Sequence, residues 1–392
     1  MFIREGHVMQ AFRTLSFAHE VIFASGAIER IGEAVERFGW QRLLLCTSNS
    51  QRVAGHIATV SSLLGERMVA SYEHVQSHVP EAQVAEVLAL ALEHHVDAVI
   101  ALGGGSPIGM AKAVSRAIEE QYSGKTAYIA SPTEQPHIPV IAIPTTYAGS
   151  EMTAVYGVTR TIDGITRKIT VSNPKIAPKL IIYDPLLTRQ LPQTLTASSG
   201  INALAHSFEA LYSITRNPLS TAAALHSIQA IWHALPLCVA DGTDIEARSE
   251  MLVGAYLAGY ALATVTMALH HGMCHVLGGS AGVAHGIANA IMLPHALRFN
   301  LAATATEIAQ AAEAMGIARG THSDAILAEA IVQRIDDLIR QMHLPQHLRD
   351  VGIPESDLPR LAQLAFESRT VQSNPKPITT SEQLTILLRQ AW

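Results

Sequence analysis

The sequence predicts an α/β N-terminal half on a parallel sheet, followed by an all-helical C-terminal half. Three observations carry that expectation. Short apolar runs alternate with amphipathic stretches as far as Leu191; the β signal then stops; and Ala- and Leu-rich helical segments continue to the end of the chain. In the first half RLLLCTS (42–48), DAVIALGGGS (97–106), PVIAIPTTY (139–147) and KLIIYDP (179–185) are near-continuous apolar runs, the pattern of strands covered on both faces. Between them SGAIERIGEAVERFG (25–39) and PEAQVAEVLALALEHH (80–95) have helical spacing with polar faces. Strand–helix alternation of this kind builds a parallel sheet with helices on both sides. The expected domains are 1–190 and 191–392, with no Gly/Ser-rich linker between them and no internal repeat.

With 392 residues, 48% hydrophobic and only 15% charged, the chain has ample material for two packed domains and is not a disordered protein. A net charge of −6 gives no reason to expect a nucleic-acid partner. The three cysteines, Cys46, Cys238 and Cys274, are widely spaced and odd in number, which fits reduced thiols in a cytoplasmic protein. The opening MFIREGHVMQAFRT lacks the apolar core of a signal peptide. The uncharged run 251–269 has the length of a membrane span. It contains Gly254, Gly259, Tyr256, Tyr260, Thr264 and Thr266 and lacks flanking basic residues, so one central core helix is expected and no membrane partner.

Two loops carry phosphate-binding chemistry. Gly103, Gly104, Gly105 and Ser106 follow an apolar strand, and Pro107 opens an amphipathic helix with Ser106 expected as its N-cap. Glycines let backbone amides approach a ligand, and a helix N-terminus supplies positive potential for a phosphate. GGGS is not the GxGxxG fingerprint, so this loop alone is also compatible with a plain tight turn. Thr145, Thr146 and Ser150 follow the strand PVIAI and place hydroxyls where open α/β sheets bind ligands. The second half carries the other candidate: no Asp, Glu, Lys or Arg lies between Met251 and Leu297, yet His270, His271, His275, His285 and His295 do. Buried imidazoles need a hydrogen-bond partner, a metal or a substrate. Asn202 and His206, four apart in SGINALAHSFEALY, share a helix face.

Taken together, GGGS (103–106), PTTYAGSEMT (144–153), SNPKIAPKLIIYD (172–184), SGINALAHSFEALY (199–212), ALHHGMCHVLGG (268–279) and AHGIANAIMLPHALRFN (284–300) resemble the iron-containing (group III) alcohol dehydrogenase superfamily. Within it they look most like the maleylacetate reductases. The resemblance implies a dehydroquinate-synthase-like dinucleotide-binding domain joined to a helical catalytic domain. It implies NADH or NADPH with its pyrophosphate on Gly103, Gly104, Gly105 and Ser106, and with Thr145, Thr146 and Ser150 near the phosphates and nicotinamide. It also implies a homodimer. Metal-binding members use an Asp and three His, which fall here on Asn202, His206, His271 and His285. With Asn at the Asp position a bound metal is not expected; were one bound, His206, His271 and His285 would be its ligands.

The activity the resemblance implies is reduction of a keto-dicarboxylate, maleylacetate, to 3-oxoadipate, in the breakdown of aromatic compounds. The alternative is a metal-dependent alcohol dehydrogenase or aldehyde reductase of the same superfamily. His271 is the expected proton donor, His206, His285 and Asn202 orient the substrate, and Lys168 and His270 contact its carboxylates. Ser48 stands where many members have an Asp that accepts the ribose hydroxyls of NAD. A neutral Ser48 with Arg52 one turn on predicts that NADPH is accepted as well as NADH. Cys274 is expected to pack beside the site.

Overall fold

The computed structural model describes residues 19–123, 136–162 and 165–392, together with Phe12 and Thr14. Among the described residues there are eight strands: β1 (Glu20–Phe23), β2 (Leu43–Thr47), β3 (Met68–Tyr72), β4 (Ala98–Gly103), β5 (Val140–Pro144), β6 (Val155–Ile162), β7 (Ile165–Ser172) and β8 (Leu180–Tyr183). Six of them form one parallel sheet in the order β1-β8-β5-β4-β2-β3. The remaining pair, β6 and β7, is an antiparallel hairpin with Thr159 opposite Lys168. Around the sheet lie α1 (Ile31–Phe38), α2 (Asn49–Val53), α3 (His56–Leu64), α4 (Glu81–Glu93) and α5 (Gly105–Ser123). From Gln193 onward, strands are absent among the described residues and helices take over: α6 (Gln193–Tyr212), α7 (Pro218–Ala240), α8 (Ile245–Thr264), α9 (Leu269–Ala281), α10 (His285–Ala309), α11 (Asp324–Gln341), α12 (Leu358–Phe366), α13 (Arg369–Gln372) and α14 (Ser381–Gln390).

The central strands are buried on both faces. Leu43 and Leu45 of β2 and Ile100 and Leu102 of β4 point into one apolar cluster, while Leu44, Cys46, Val99 and Ala101 point into the other. This second cluster runs without a break through α5 into Phe208, Ile231 and Leu252 of the helical half. A shared core explains why no flexible linker separates the halves. Only one described helix, α7, is long and apolar enough to cross a membrane, and half of its apolar window is buried.

The uncharged run 251–269 is not the single helix that its composition predicts. It breaks between Thr264 and Leu269, where α9 turns away from α8 by 99°. The break is held from a distance: Ser213 donates to the Thr266 carbonyl at 2.7 Å and the Thr266 amide donates to Thr215 at 2.7 Å. The turn gives α9 a free N-terminus inside the protein, aimed at α6. At the Gly-rich loop, Gly103 has φ 139° and α5 begins at Gly105, so Ser106 sits in the first turn and is not the N-cap. Glycine takes that φ without strain, which lets the chain enter the helix directly from the strand.

Candidate active site

α6 places Asn202, His206 and Glu209 on one face at spacings of four and three, and all three are buried. The N-terminus of α9 meets that face. Glu209 Oε1 accepts from the Ala268 and His270 amides, both at 3.1 Å, and Oε2 accepts from the His271 amide at 3.2 Å and from His271 Nδ1. One carboxylate thus satisfies three donors that a helix start leaves open, at the positive end of the helix dipole. Burial works to raise its pKa, but these hydrogen bonds and the adjacent imidazoles His271 and His270 hold it well below the ordinary carboxylate range.

With Nδ1 committed to Glu209, His271 directs Nε2 away from it, and that buried atom has no protein partner. The His206 ring stacks on His271 with centroids 4.5 Å apart, and His285, at the start of α10, lies 6.3 Å from His271 and 5.9 Å from His275. His206 Nδ1 and Asn202 Oδ1 are likewise buried without a partner, while Asn202 Nδ2 donates to the Ala148 carbonyl at 3.4 Å. Burial, followed by the charge of His271, pushes the His206 pKa well down; burial also lowers that of His271, against the pull of Glu209. His270 has both nitrogens engaged, Nε2 with the Asn289 carbonyl at 3.1 Å and Nδ1 with His271 Nδ1 at 3.3 Å, so it supports His271 and faces no open space. Cys274 is buried with its sulfur 3.7 Å from His270 Nε2.

The sequence-predicted cofactor residues converge at the carboxyl ends of β4 and β5. The Thr145 amide donates to the Gly103 carbonyl at 3.1 Å, and a Cβ at Gly104 would lie 3.0 Å from the Thr146 side chain. The backbone of Gly104, without a Cβ, beside a threonine hydroxyl and the start of α5 is a fit for a pyrophosphate. The next loop reaches the histidines. A Cβ at Gly149, whose φ is 71°, would lie 3.2 Å from Gly259 Cα and 3.6 Å from His206 Nδ1. The loop therefore meets α8 at backbone distance and α6 through the His206 side chain. Lys112, fully buried on α5, fixes this loop by donating to the Ser150 carbonyl and, at 3.1 and 3.0 Å, to Thr153 Oγ1 and the Val155 carbonyl. Burial pulls its pKa down to about 7 against the attraction of Glu151. Arg248, also fully buried, holds Tyr147 Oη at 2.9 Å and Thr196 Oγ1 at 3.1 Å, and Gln51 donates to Thr145 Oγ1 at 3.1 Å.

Ser48 stands at the end of β2 ahead of α2, its hydroxyl 3.0 Å from that of Ser50. Lys168 lies on β7, which packs against α9, but its side chain is outside the described residues. The lysine of SNPK, Lys175, is spent elsewhere, paired with buried Glu119 at 3.1 Å. Glu209 is the functional residue that sequence reading missed. Its signal was its isolation: Glu209 and Arg216 are the only charged residues from Leu191 to Ala240, and Glu209 shares the Asn202–His206 face. Lys112, Arg248 and Gln51 gave no such signal, because their partners are distant backbone and hydroxyl groups.

An iron ion held as in the metal-binding members would draw on Asn202 Oδ1, His206, His271 and His285, a set without a carboxylate; of these, Asn202 Oδ1, His206 Nδ1 and His271 Nε2 are buried and open. Glu209, His270 and His271 also lie within ligand distance of one another, but the Glu209 oxygens are already filled by N–H donors. With no carboxylate turned toward these donors, a divalent cation would keep its full charge among neutral ligands and be held more weakly than by a set with an anionic ligand, whereas a substrate oxygen would find the partners it needs.

Comparison with known proteins accounts for both halves. The family described as "Iron-containing alcohol dehydrogenase" matches residues 18–185, and "Fe-containing alcohol dehydrogenase family, C-terminal" matches 196–392. The maleylacetate reductase of Sphingobium indicum is 34% identical over 95% of this chain and 95% of its own. Maleylacetate reductase 2 of Cupriavidus pinatubonensis is 38% identical over 76% of each. Among solved structures, the maleylacetate reductase of Agrobacterium tumefaciens superposes with a TM-score of 0.82 at 31% identity, covering 98% of this chain and 99% of its own. A 1,3-propanediol oxidoreductase reaches 0.89 at 31% identity, covering 98% and 100%. Members of this family are oxidoreductases that use NAD(P)H on small molecules, and with both of its halves present in order, the chain belongs to the iron-containing alcohol dehydrogenase family.

Proposed function

We propose that this chain is an NAD(P)H-dependent reductase converting maleylacetate to 3-oxoadipate, with a dinucleotide-binding domain (1–190), a helical catalytic domain (191–392) and no requirement for a metal. The observation that carries the reading is the His271 arrangement: Nδ1 is fixed on a buried carboxylate, and Nε2 stands without a partner on a ring that stacks with His206 at 4.5 Å. Such a group holds a proton at one defined atom. Nearly full-length similarity to maleylacetate reductases supplies the substrate class.

When bound, the reduced nicotinamide supplies a hydride. Hydride addition to the double bond conjugated with the ketone leaves an enolate, and the neighbouring carbon must gain a proton. His271 Nε2 donates that proton and the ring returns to its neutral Nδ1–H form on Glu209. The Glu209 carboxylate stabilises the imidazolium before transfer. Asn202, His206 and His285 orient the oxygens of the substrate, and Lys168 meets a carboxylate. Three buried, unpaired thiols go with a reduced, cytoplasmic setting, and a homodimer is the assembly proposed. The second reading, a metal-dependent alcohol dehydrogenase, is favoured by the higher TM-score with 1,3-propanediol oxidoreductase, 0.89 against 0.82. Turnover of maleylacetate by chelator-treated protein separates the two: activity kept supports the first, and activity lost then restored by a divalent ion supports the second.

A further inference from the structure

Arg52, the cation that the sequence offers to a 2′-phosphate, is not free. It forms an ion pair with Glu73, which follows β3, and Glu73 is the less exposed partner, at 13% of its side chain against 60% for Arg52. The backbone brings Glu73 to this place. The register Cys46↔Tyr72 puts the ends of β2 and β3 side by side, and the Val75 amide donates to the Thr47 carbonyl at 3.1 Å, so the segment after β3 wraps the end of β2 beside Ser48. Ser71 fixes the carboxylate further by donating to Glu73 Oε1 at 3.0 Å. β2 is one of the two neighbours of β4, the strand that leads into the Gly-rich loop, and its carboxyl end is where a sheet of this kind receives the adenosine ribose.

We propose that the Arg52–Glu73 pair sets the choice between NADH and NADPH, Glu73 acting through Arg52 as the residue that disfavours the 2′-phosphate. The inference rests on the dinucleotide reading above and deepens it. A 2′-phosphate arriving beside Ser48 must take Arg52 from an anchored carboxylate and tolerate that carboxylate as a like charge. NADH meets neither cost. Wild type then binds both cofactors with a moderate preference for NADH, and Glu73→Gln releases Arg52 and shifts the balance toward NADPH.

Dissociation constants of NADH and NADPH, measured by isothermal titration calorimetry on the whole protein, test this without any carbonyl substrate. The ratio Kd(NADH)/Kd(NADPH) should rise about tenfold in Glu73→Gln, or about 1.4 kcal/mol, should fall in Arg52→Ala, and should respond to Glu73→Gln far less once Arg52 is Ala. Arg52 is largely exposed and Glu73→Gln keeps the shape of the side chain, and thermal melts matching wild type would confirm that the variants fold. A ratio unchanged in Glu73→Gln overturns the proposal. So does an equal rise in the Arg52→Ala background, which would mean that Glu73 acts on the ribose directly. Binding without turnover of maleylacetate would sink only the substrate assignment and leave this test intact. Failure of both cofactors to bind would remove the dinucleotide reading and this proposal together.

Discussion

Glu209→Gln is the sharpest perturbation of the site. The carboxylate accepts four hydrogen bonds, two on each oxygen. An amide oxygen replaces one of these acceptors, while the amide NH2 faces the donors of the other. Hydrogen bonds to a charged group are worth about 1.5–3 kcal/mol each, and removing one member of a buried charged network costs about 3–5 kcal/mol. A loss of about 3 kcal/mol or more in unfolding free energy is therefore expected from denaturant titration. For catalysis the effect runs through His271. The ring no longer has an anion at Nδ1, its imidazolium loses stabilisation, and kcat should fall by about a hundredfold or more, the usual share of a general acid. The pH profile separates this from simple loosening. Burial already lowers the His271 pKa and Glu209 opposes that shift, so kcat of wild type falls as pH rises through the lowered value. Without Glu209 that descending limb moves to lower pH. Steady-state oxidation of NADH by maleylacetate across the pH range reads both quantities. A Glu209→Gln protein with near-wild-type kcat and an unmoved limb would refute the reasoning.

Other outcomes follow from the same geometry. His271→Ala should lower kcat by about a hundredfold or more with cofactor affinity near normal, whereas Lys168→Ala should mainly raise KM for the dicarboxylate. Asn202→Asp should add the missing anionic donor and raise affinity for iron or zinc, read by metal analysis after dialysis; unchanged metal content would count against the charge argument. Gly149→Ala places a Cβ in the left-handed region and 3.2 Å from Gly259 Cα. It should cost about 1–2 kcal/mol from backbone strain alone, seen as a lower melting temperature, and should weaken cofactor binding by displacing the Ser150 loop.

Much of this fold is legible in the sequence where burial writes a strong pattern. Strands β2, β4, β5 and β8 are buried throughout, and each falls inside a predicted apolar run. The strands β1 and β3 are short edges, partly exposed, and their sequences EVIF and MVASY lack such a run. The β6–β7 hairpin carried a readable signal, Asp163-Gly164 between β-branched stretches, which a search for buried runs passes over. The helix break at 264–269 contains neither Gly nor Pro and depends on Ser213 and Thr215, so composition predicts continuity. In the site, the histidines stood out because an uncharged segment makes imidazoles conspicuous. Glu209 did not, because its partners are backbone amides about 60 residues later in the chain, a pairing that no local pattern encodes.

An imidazole site working without a metal should reduce a charged keto-dicarboxylate in preference to a neutral carbonyl. The most direct measurement is kcat/KM for maleylacetate against an uncharged aldehyde of similar length, with NADH, on protein stripped of metal by chelation. Maleylacetate should be the better substrate by about a hundredfold or more, an advantage of about 2.7 kcal/mol, and stripping should change neither value. Preference for the aldehyde, or activity that returns only with a divalent ion, would contradict it.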